Sequence, residues 1–554
     1  MVPTAAEAVT SPPTVADGVS YLPADRSVDL VDLTVGGLLA LRAAELPDRP
    51  ALVGARHGDG REVRLTYAEL HAEARRVATA LLRLARPGDH VALWAPSVVE
   101  WPVVQYGAAI AGVRLVALNP VLRDRELEYA LRHSGSAVLL HADRSRDYDM
   151  AAVAGRMAEL FPGLTVVSLR ERDRWRADEA DEALLAASPT DPDLPVMLQY
   201  TSGTTGNPKG VLLRHRSLVN VARLTMEHVG APAQAKVVSP LPMFHTAGCV
   251  VSVLGPLWSG GVVRIIEQFV PSVVLVHLRA DEPDVLLFVP AILGALLEAQ
   301  RAATEPAPRL PLVMGGASNL PASMIEAAER VFGASVLNIF GQTELAPVLS
   351  ATRPDDDRQD QLTTVGHPLP QVEVKVVDPV TGAVVPAGER GEICARGYQQ
   401  LVEYLHDPAA TAAAVDGEGF VHTGDLGSMD ARGYLTVTGR LKDLIIRGGE
   451  NIAPAEIESV LVTHPDVLEA AVLGLPDERL GEQVGAVVRL RDEREGLLES
   501  LRTHARDHLS PHKVPARWFV AEALPVTPTG KVQKFRLADQ LRAGGIDGLR
   551  ELVG

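Results

Sequence analysis

The chain has 554 residues, 47% hydrophobic and 22% charged, with a formal charge of -17 at pH 7. That length exceeds what one hydrophobic core supports, so two or more domains are expected. The acidic balance argues against a nucleic-acid-binding surface, while leaving room for a local basic pocket. Two cysteines, Cys249 and Cys394, are too few for a disulfide scaffold and fit a reducing compartment. The first twenty residues lack a basic segment followed by an apolar one, so no secretory signal is supported and a cytoplasmic location is expected. Apolar runs at 103–117 and 250–257 are short or broken, leaving no transmembrane segment. Seven of the 53 basic residues are lysines. A lysine beside glycine, as at 209 and 531, therefore points to a need for a compact charge on a flexible stem.

In chain order, residues 1–28 are rich in Ala, Pro, Ser and Asp and read as a flexible lead-in. Strands are then predicted at 90–94, 113–118 and 137–141, with helices at 98–111 and 122–134. This alternation means α/β layers. Residues 200–210 read Tyr-Thr-Ser-Gly-Thr-Thr-Gly-Asn-Pro-Lys-Gly. Gly203, Gly206 and Gly210 allow the backbone to turn its N–H groups toward an anion. Thr201, Ser202, Thr204 and Thr205 add hydroxyl donors, and Lys209 adds a mobile charge. The order differs from the common G-x-x-x-x-G-K-[ST] nucleotide loop. Alone, the segment also fits a surface turn.

The pattern resumes with a helix at 217–228 and a strand at 237–241. A strand at 285–288 then enters a helix at 290–302, and strands at 312–314 and 336–340 flank a helix at 321–332. From 364 onward, short strands at 372–377, 392–395 and 434–437 suit a small β-barrel-like subdomain. A boundary is placed at 440/441. Helices at 455–463 and 497–508, with strands at 467–473 and 483–490, predict a small α+β domain over 441–554.

Further polar constellations are 242–248 (Pro-Met-Phe-His-Thr-Ala-Gly), 314–317 (Met-Gly-Gly-Ala) and 338–344 (Asn-Ile-Phe-Gly-Gln-Thr-Glu). Downstream come 422–427 (His-Thr-Gly-Asp-Leu-Gly), 439–443 (Gly-Arg-Leu-Lys-Asp), 447–451 (Arg-Gly-Gly-Glu-Asn) and 528–534 (Pro-Thr-Gly-Lys-Val-Gln-Lys). Together and in this order they resemble the signature of the adenylate-forming enzymes, specifically the acyl-CoA synthetase branch. The resemblance runs from about residue 30 to 540. It implies a large N-terminal adenylation domain, residues 29–440, and a mobile C-terminal domain. ATP, Mg²⁺ and coenzyme A are the implied cofactors.

A carboxylate attacking the α-phosphorus of ATP needs phosphate charge cancelled, the nucleoside fixed and the attacking oxygen aligned. The resemblance assigns the 201–209 loop to the β- and γ-phosphates. Glu344, after the Thr343 hydroxyl, is the Mg²⁺ ligand, since that ion takes hard oxygen donors. Asp425 is a natural acceptor for ribose hydroxyls, although alone it also fits a turn. Phe340 is expected to stack on adenine, with Gly315, Gly316 and Ala317 passing along the base, and Asn338, Gly341 and Gln342 completing that motif. The family more often has tyrosine at position 340, so a phenol hydrogen bond is absent here. Arg440 is the expected second ribose or phosphate contact.

Lys531, in a glycine-bearing turn, is the implied catalytic lysine between substrate carboxylate and α-phosphate; the other reading is a solvated lysine on a hairpin. Gly448, Gly449 and Glu450 are assigned to the thioester step, with Lys442 the hinge between the two arrangements. His245 is placed beside the acyl pocket, where it helps separate the half-reactions or simply walls the pocket. Amino-acid-activating relatives have aspartate at that position, so a substrate ammonium would lack its partner here. With apolar Met243, Val250 and Val348 nearby, this favours a fatty or aryl carboxylic acid. Two rival readings remain at this point. One is an acyl-AMP ligase that loads an acyl carrier protein, and the other is a nucleotide-binding regulatory protein without turnover.

Overall fold

The structure, a computed structural model, describes residues 15, 18–201, 208–316, 320–447, 450–477, 479–492, 494–526, 532–542 and 549–552. The alternating apolar runs build two large sheets. One has seven strands, in the order Glu403–Tyr404, Lys209–Arg214, Pro195–Thr201, Arg114–Leu118, His90–Trp94, Val138–His141 and Thr165–Ser168. From Pro195–Thr201 onward these pair in parallel, whereas the first two strands join antiparallel. The other sheet has nine strands, with Ser335–Phe340, Leu312–Gly316, Val285–Phe288, Lys236–Ser239, Val262–Ile265 and Pro50–Ala55 forming its parallel centre.

Parallel strands covered on both faces need near-continuous apolar sequence, and His90–Trp94 and Val285–Phe288 are buried at every position. Helix Glu100–Ala111 is likewise buried at every residue. It packs on Tyr67–Leu84, where a Cβ on Gly107 would stand 2.5 Å from Val77 Cγ1. Glycine is thus what lets these two helices approach. Thr66 and Glu69 form a reciprocal capping box that starts Tyr67–Leu84, and left-handed Gly112 ends Glu100–Ala111. One apolar core joins the two sheets, including Leu93, Val116, Leu198, Val263 and Leu337. A second lies on the opposite face of the nine-stranded sheet, around Phe288, Val313 and Leu293.

The small β subdomain is an antiparallel five-stranded sheet, ordered Tyr21–Leu22, Val372–Val377, Gly391–Gly397, Val421–Met429 and Leu435–Arg440. Among the described residues its outer strands do not pair with each other, so it is open and not a closed barrel. The end of the segment read as a lead-in is tied down here. Tyr21 and Leu22 pair with Lys375 and Val374, and the Ser20 hydroxyl donates to Pro386 O at 2.9 Å.

Residues beyond 444 form a separate six-stranded sheet with helices Pro454–Leu461, Leu497–His508 and Lys534–Arg542. It carries its own apolar clusters around Ile457, Leu501 and Trp518, and around Phe519 and Leu537. Among the described residues no helix is long and apolar enough to cross a membrane.

Candidate active site

The phosphate-type loop hangs between two antiparallel strands. Thr201 ends Pro195–Thr201 and sits opposite Lys209, the first residue of the returning strand. Ser202, Gly203, Thr204 and Thr205 lie outside the described residues. The base of the loop is anchored by the Tyr129 hydroxyl, which donates to Pro208 O at 2.9 Å, and by the Tyr200 hydroxyl, which donates to Ala130 O at 3.0 Å.

From this base, Lys209 Nζ stands 4.6 Å from the centroid of the Tyr404 ring. A cation over an aromatic face is held by the ring quadrupole. The hydroxyl of the same tyrosine donates to Glu344 Oε1 at 2.8 Å. Burial, and then the neighbouring Glu344 charge, push the Tyr404 phenol far above its usual range, so it stays protonated and donates. Backbone bonds fix the tyrosine in place: Leu401 N donates to Glu344 O, Val402 N to Leu212 O and Leu405 N to Gly210 O, each at 2.8 Å. Tyr404 was not among the residues singled out from the sequence. It carries no motif, and its strand of two residues has no readable period.

Gln342 caps a short turn over Thr343–Leu345, which presents Glu344 half-buried. A carboxylate and the Thr343 hydroxyl are hard oxygen donors, the set that Mg²⁺ takes. Leading into this turn, Asn338 and Phe340 lie on Ser335–Phe340. Asn338 sits opposite Gly315, and Ile339 opposite Gly316. A Cβ on Gly315 would fall 2.0 Å from Phe288 O, and one on Gly316 would fall 1.8 Å from Ile339 O. Side chains are thereby excluded at both positions, and Phe340, half-buried, follows Ile339 on the neighbouring strand. Ala317 lies outside the described residues. Asn338 is fixed by its N–H to Thr352 Oγ1 at 2.9 Å.

Asp425 is buried on Val421–Met429, directly opposite Arg440, whose Nε lies 3.1 Å from Asp425 Oδ1. Two residues later comes Lys442, on the short turn Leu441–Asp443. Its ammonium is held below the usual lysine range, first by burial and then by the Arg440 charge, with Asp443, Asp425 and Glu344 acting in the opposite direction. The charges of Asp425, on Val421–Met429, and of Glu344, on the turn Thr343–Leu345, thus both act on Lys442.

His245 N–H donates to Pro242 O at 3.2 Å, and its Nδ1 accepts the Ala247 N–H at 3.2 Å. Nδ1 is thus an acceptor in the neutral ring. A π-helical turn, Ala247–Val251, follows it, a geometry often found at functional sites. Met243, Val250 and Val348 are all buried in the shared core. Glu450 is exposed on the hairpin of Ile445–Arg447 and Glu450–Ile452, opposite Arg447. Among the described residues no hydrogen bond or ion pair joins it to the cluster above. Gly448, Gly449 and Lys531 lie outside the described residues, although Val526 and Val532, flanking the lysine turn, form an antiparallel bridge.

Comparison with known proteins matches residues 39–405 to the AMP-binding enzyme family and residues 456–531 to the AMP-binding enzyme C-terminal domain. The chain belongs to the AMP-binding enzyme family. A putative acyl-CoA synthetase of Bacillus subtilis is 34% identical over 92% of this chain and 98% of its own length. A mitochondrial medium-chain acyl-CoA ligase of Danio rerio is 32% identical over 96% of this chain and 92% of its own. Among solved structures, the o-succinylbenzoate CoA synthetase of Bacillus subtilis, in complex with its acyl-adenylate intermediate, superposes with a TM-score of 0.76. It shares 29% identity, covering 91% of this chain and 97% of that one. This AMP-binding enzyme is an adenylate-forming ligase of the acyl-CoA synthetase branch, joining an acid to a thiol with release of AMP.

Proposed function

We propose that the chain activates an apolar carboxylic acid, of medium-chain fatty type, and delivers it to coenzyme A. In the first step a carboxylate oxygen bonds to the α-phosphorus of ATP as the bond to the pyrophosphate oxygen breaks. In the second the CoA sulfur bonds to the acyl carbon, the acyl–oxygen bond breaks with its electron pair leaving on AMP, and the thiol proton passes to solvent. The attacking carboxylate is already ionised near neutral pH, so the first step needs no general base and His245 serves as a wall of the acyl pocket.

The observations that support this reading are the contacts of Tyr404 with Lys209 and Glu344 and the facing pair Asp425 and Arg440. Lys209 and the 201–205 loop neutralise the departing phosphates. Glu344, with Thr343, would hold Mg²⁺, which supplies further charge cancellation when bound. Asp425 accepts from the ribose, Arg440 adds a second contact, and Phe340 covers the base against the Gly315 to Ala317 backbone. Lys531 bridges substrate carboxylate and α-phosphate in the adenylation arrangement. The C-terminal domain, residues 441–554, then turns about Lys442 to bring Gly448, Gly449 and Glu450 to the thioester step. Buried Met243, Val250 and Val348 support an apolar acyl group, and the likeness to medium-chain acyl-CoA ligases favours an aliphatic one. Two buried free cysteines support a reducing compartment such as the cytoplasm.

The test is pyrophosphate release over a panel of fatty, aryl and α-amino acids, with mass detection of products with and without CoA. CoA thioesters and AMP from medium-chain acids are expected. Acyl-AMP that persists with CoA present but is discharged by a carrier-protein thiol would make the carrier protein, in place of CoA, the acceptor. Preferential turnover of an α-amino acid would overturn the substrate class.

A further inference from the structure

Apart from the Glu344 position, three side chains of the β subdomain bring metal-binding atoms together. Glu392 and Cys394 lie two residues apart on Gly391–Gly397, and His422 stands directly opposite Cys394 on Val421–Met429. The pairing shifts register between Glu392 and Cys394, and a bulge of this kind re-aims side chains. Glu392 Oε2 comes within 2.8 Å of His422 Nδ1, and Cys394 Sγ within 3.5 Å of the same nitrogen. One donor atom from each residue lies within 4.8 Å of the others.

Imidazole nitrogen at ~2.0 Å and thiolate sulfur at ~2.3 Å from a tetrahedral ion stand about 3.5 Å apart. The observed nitrogen–sulfur edge already has that length. The carboxylate needs an outward shift of only about 0.5 Å to reach the corresponding oxygen–nitrogen edge. Glu392 and Cys394 are buried, whereas His422 keeps 31% of its side chain exposed, which gives the cluster a side open to solvent. Asp416 Oδ2 lies 3.7 Å from His422 Nε2, where a carboxylate can orient a metal-bound imidazole. The neighbouring cation, Lys375, is already matched by Asp416 and Glu418, each 2.8 Å from Nζ.

We propose that Glu392, Cys394 and His422 form a site for a thiophilic divalent cation of the Zn²⁺ class, with water as fourth ligand. On binding, the thiol proton leaves to solvent and the imidazole proton sits on Nε2 facing Asp416, which frees lone pairs on Sγ and Nδ1. No electron is transferred. Thiolate and imidazole select such an ion over Mg²⁺, so the site differs in chemistry from the one at Glu344. It borders the nucleotide region, because Glu392 Oε1 accepts the N–H of Gly424, the residue before Asp425.

The full-length protein, stripped with chelator, is titrated with Co²⁺ and read for a thiolate-to-cobalt charge-transfer band. One equivalent should bind with that band, be displaced by Zn²⁺ and resist excess Mg²⁺. Cys394→Ser should abolish the band, with Cys249 kept in every variant. Asp416→Asn, which leaves all three ligands in place, should weaken Zn²⁺ binding by about 10–100-fold. A band that survives Cys394→Ser, or wild-type protein with no thiolate band, overturns the site. The wild-type titration decides the matter even where a variant fails to fold.

Discussion

The hydroxyl of Tyr404 donates to Glu344 at 2.8 Å while the face of the same ring receives the Lys209 ammonium at 4.6 Å. One side chain thus touches both the cation assigned to the ATP phosphates and the carboxylate assigned to Mg²⁺. A hydrogen bond to a charged group contributes about 1.5–3 kcal/mol. Tyr404→Phe, which keeps the ring and removes the donor, should therefore lower kcat/KM for pyrophosphate release by roughly 10–100-fold. It should also raise the Mg²⁺ concentration needed for half-maximal rate. Tyr404→Leu should cost more, since the ring is lost as well. An unchanged Mg²⁺ requirement in Tyr404→Phe would remove the positioning role.

Asp425 and Arg440 face each other across two paired strands, with Nε and Oδ1 3.1 Å apart. In the proposed function this pair holds the carboxylate that takes the ribose hydroxyls. Asp425→Asn keeps the shape but removes the charge, and should raise KM for ATP by about 10–100-fold. KM for the acid should stay near its wild-type value. A change confined to the acid would place Asp425 on the wrong substrate.

Much of this arrangement was legible along the chain. The strands Val285–Phe288 and Val372–Val377 and the helix Leu497–His508 stand at their expected bounds, because apolar runs and 3.6-residue periods encode them locally. Gly315 and Gly316 were legible as a motif, yet what forbids a side chain there is the carbonyls of Phe288 and Ile339 on neighbouring strands. Tyr404 was hidden for a related reason. Its place follows from pairing with Val211 at a sheet edge and from a bond to a residue 60 positions away, neither of which leaves a local pattern. Residues 20–22 were misleading in the same way, since a polar, proline-bearing segment finds its partners some 350 positions downstream.

His215 is 1% exposed, and its Nδ1 accepts the Val35 N–H at 3.1 Å, which ties helix His215–His228 to helix Val35–Glu45. Burial lowers its imidazole from 6.5 to about 4. Between those values the unfolded chain takes up a proton that the folded chain refuses, so stability falls as pH falls. This one group contributes a slope of up to about 1.4 kcal/mol per pH unit, and none above its unfolded value. His215→Asn preserves an acceptor that does not titrate. Unfolding free energies from urea titrations between pH 7.5 and about pH 4.5 should decline less steeply in the variant by up to that amount. His90 and His228, lowered by burial to about 4 and about 3, titrate in both proteins and cancel in the comparison. Parallel declines would show that His215 is not a source of the acid sensitivity.

The role proposed for Lys531 separates the two half-reactions. A lysine ammonium that bridges the attacking carboxylate and the α-phosphate stabilises charge that develops only during adenylation. The thioester step starts from an adenylate already formed and, in the proposed rotation, follows the turning away of the domain that carries Lys531. Lys531→Ala should therefore slow pyrophosphate release by about 10²–10³-fold, while transfer to CoA from supplied acyl-adenylate keeps most of its rate. Single-turnover measurements of each half-reaction make the comparison. Equal losses in both would assign Lys531 to the integrity of the C-terminal domain, and retention of full adenylation would return it to a solvated hairpin.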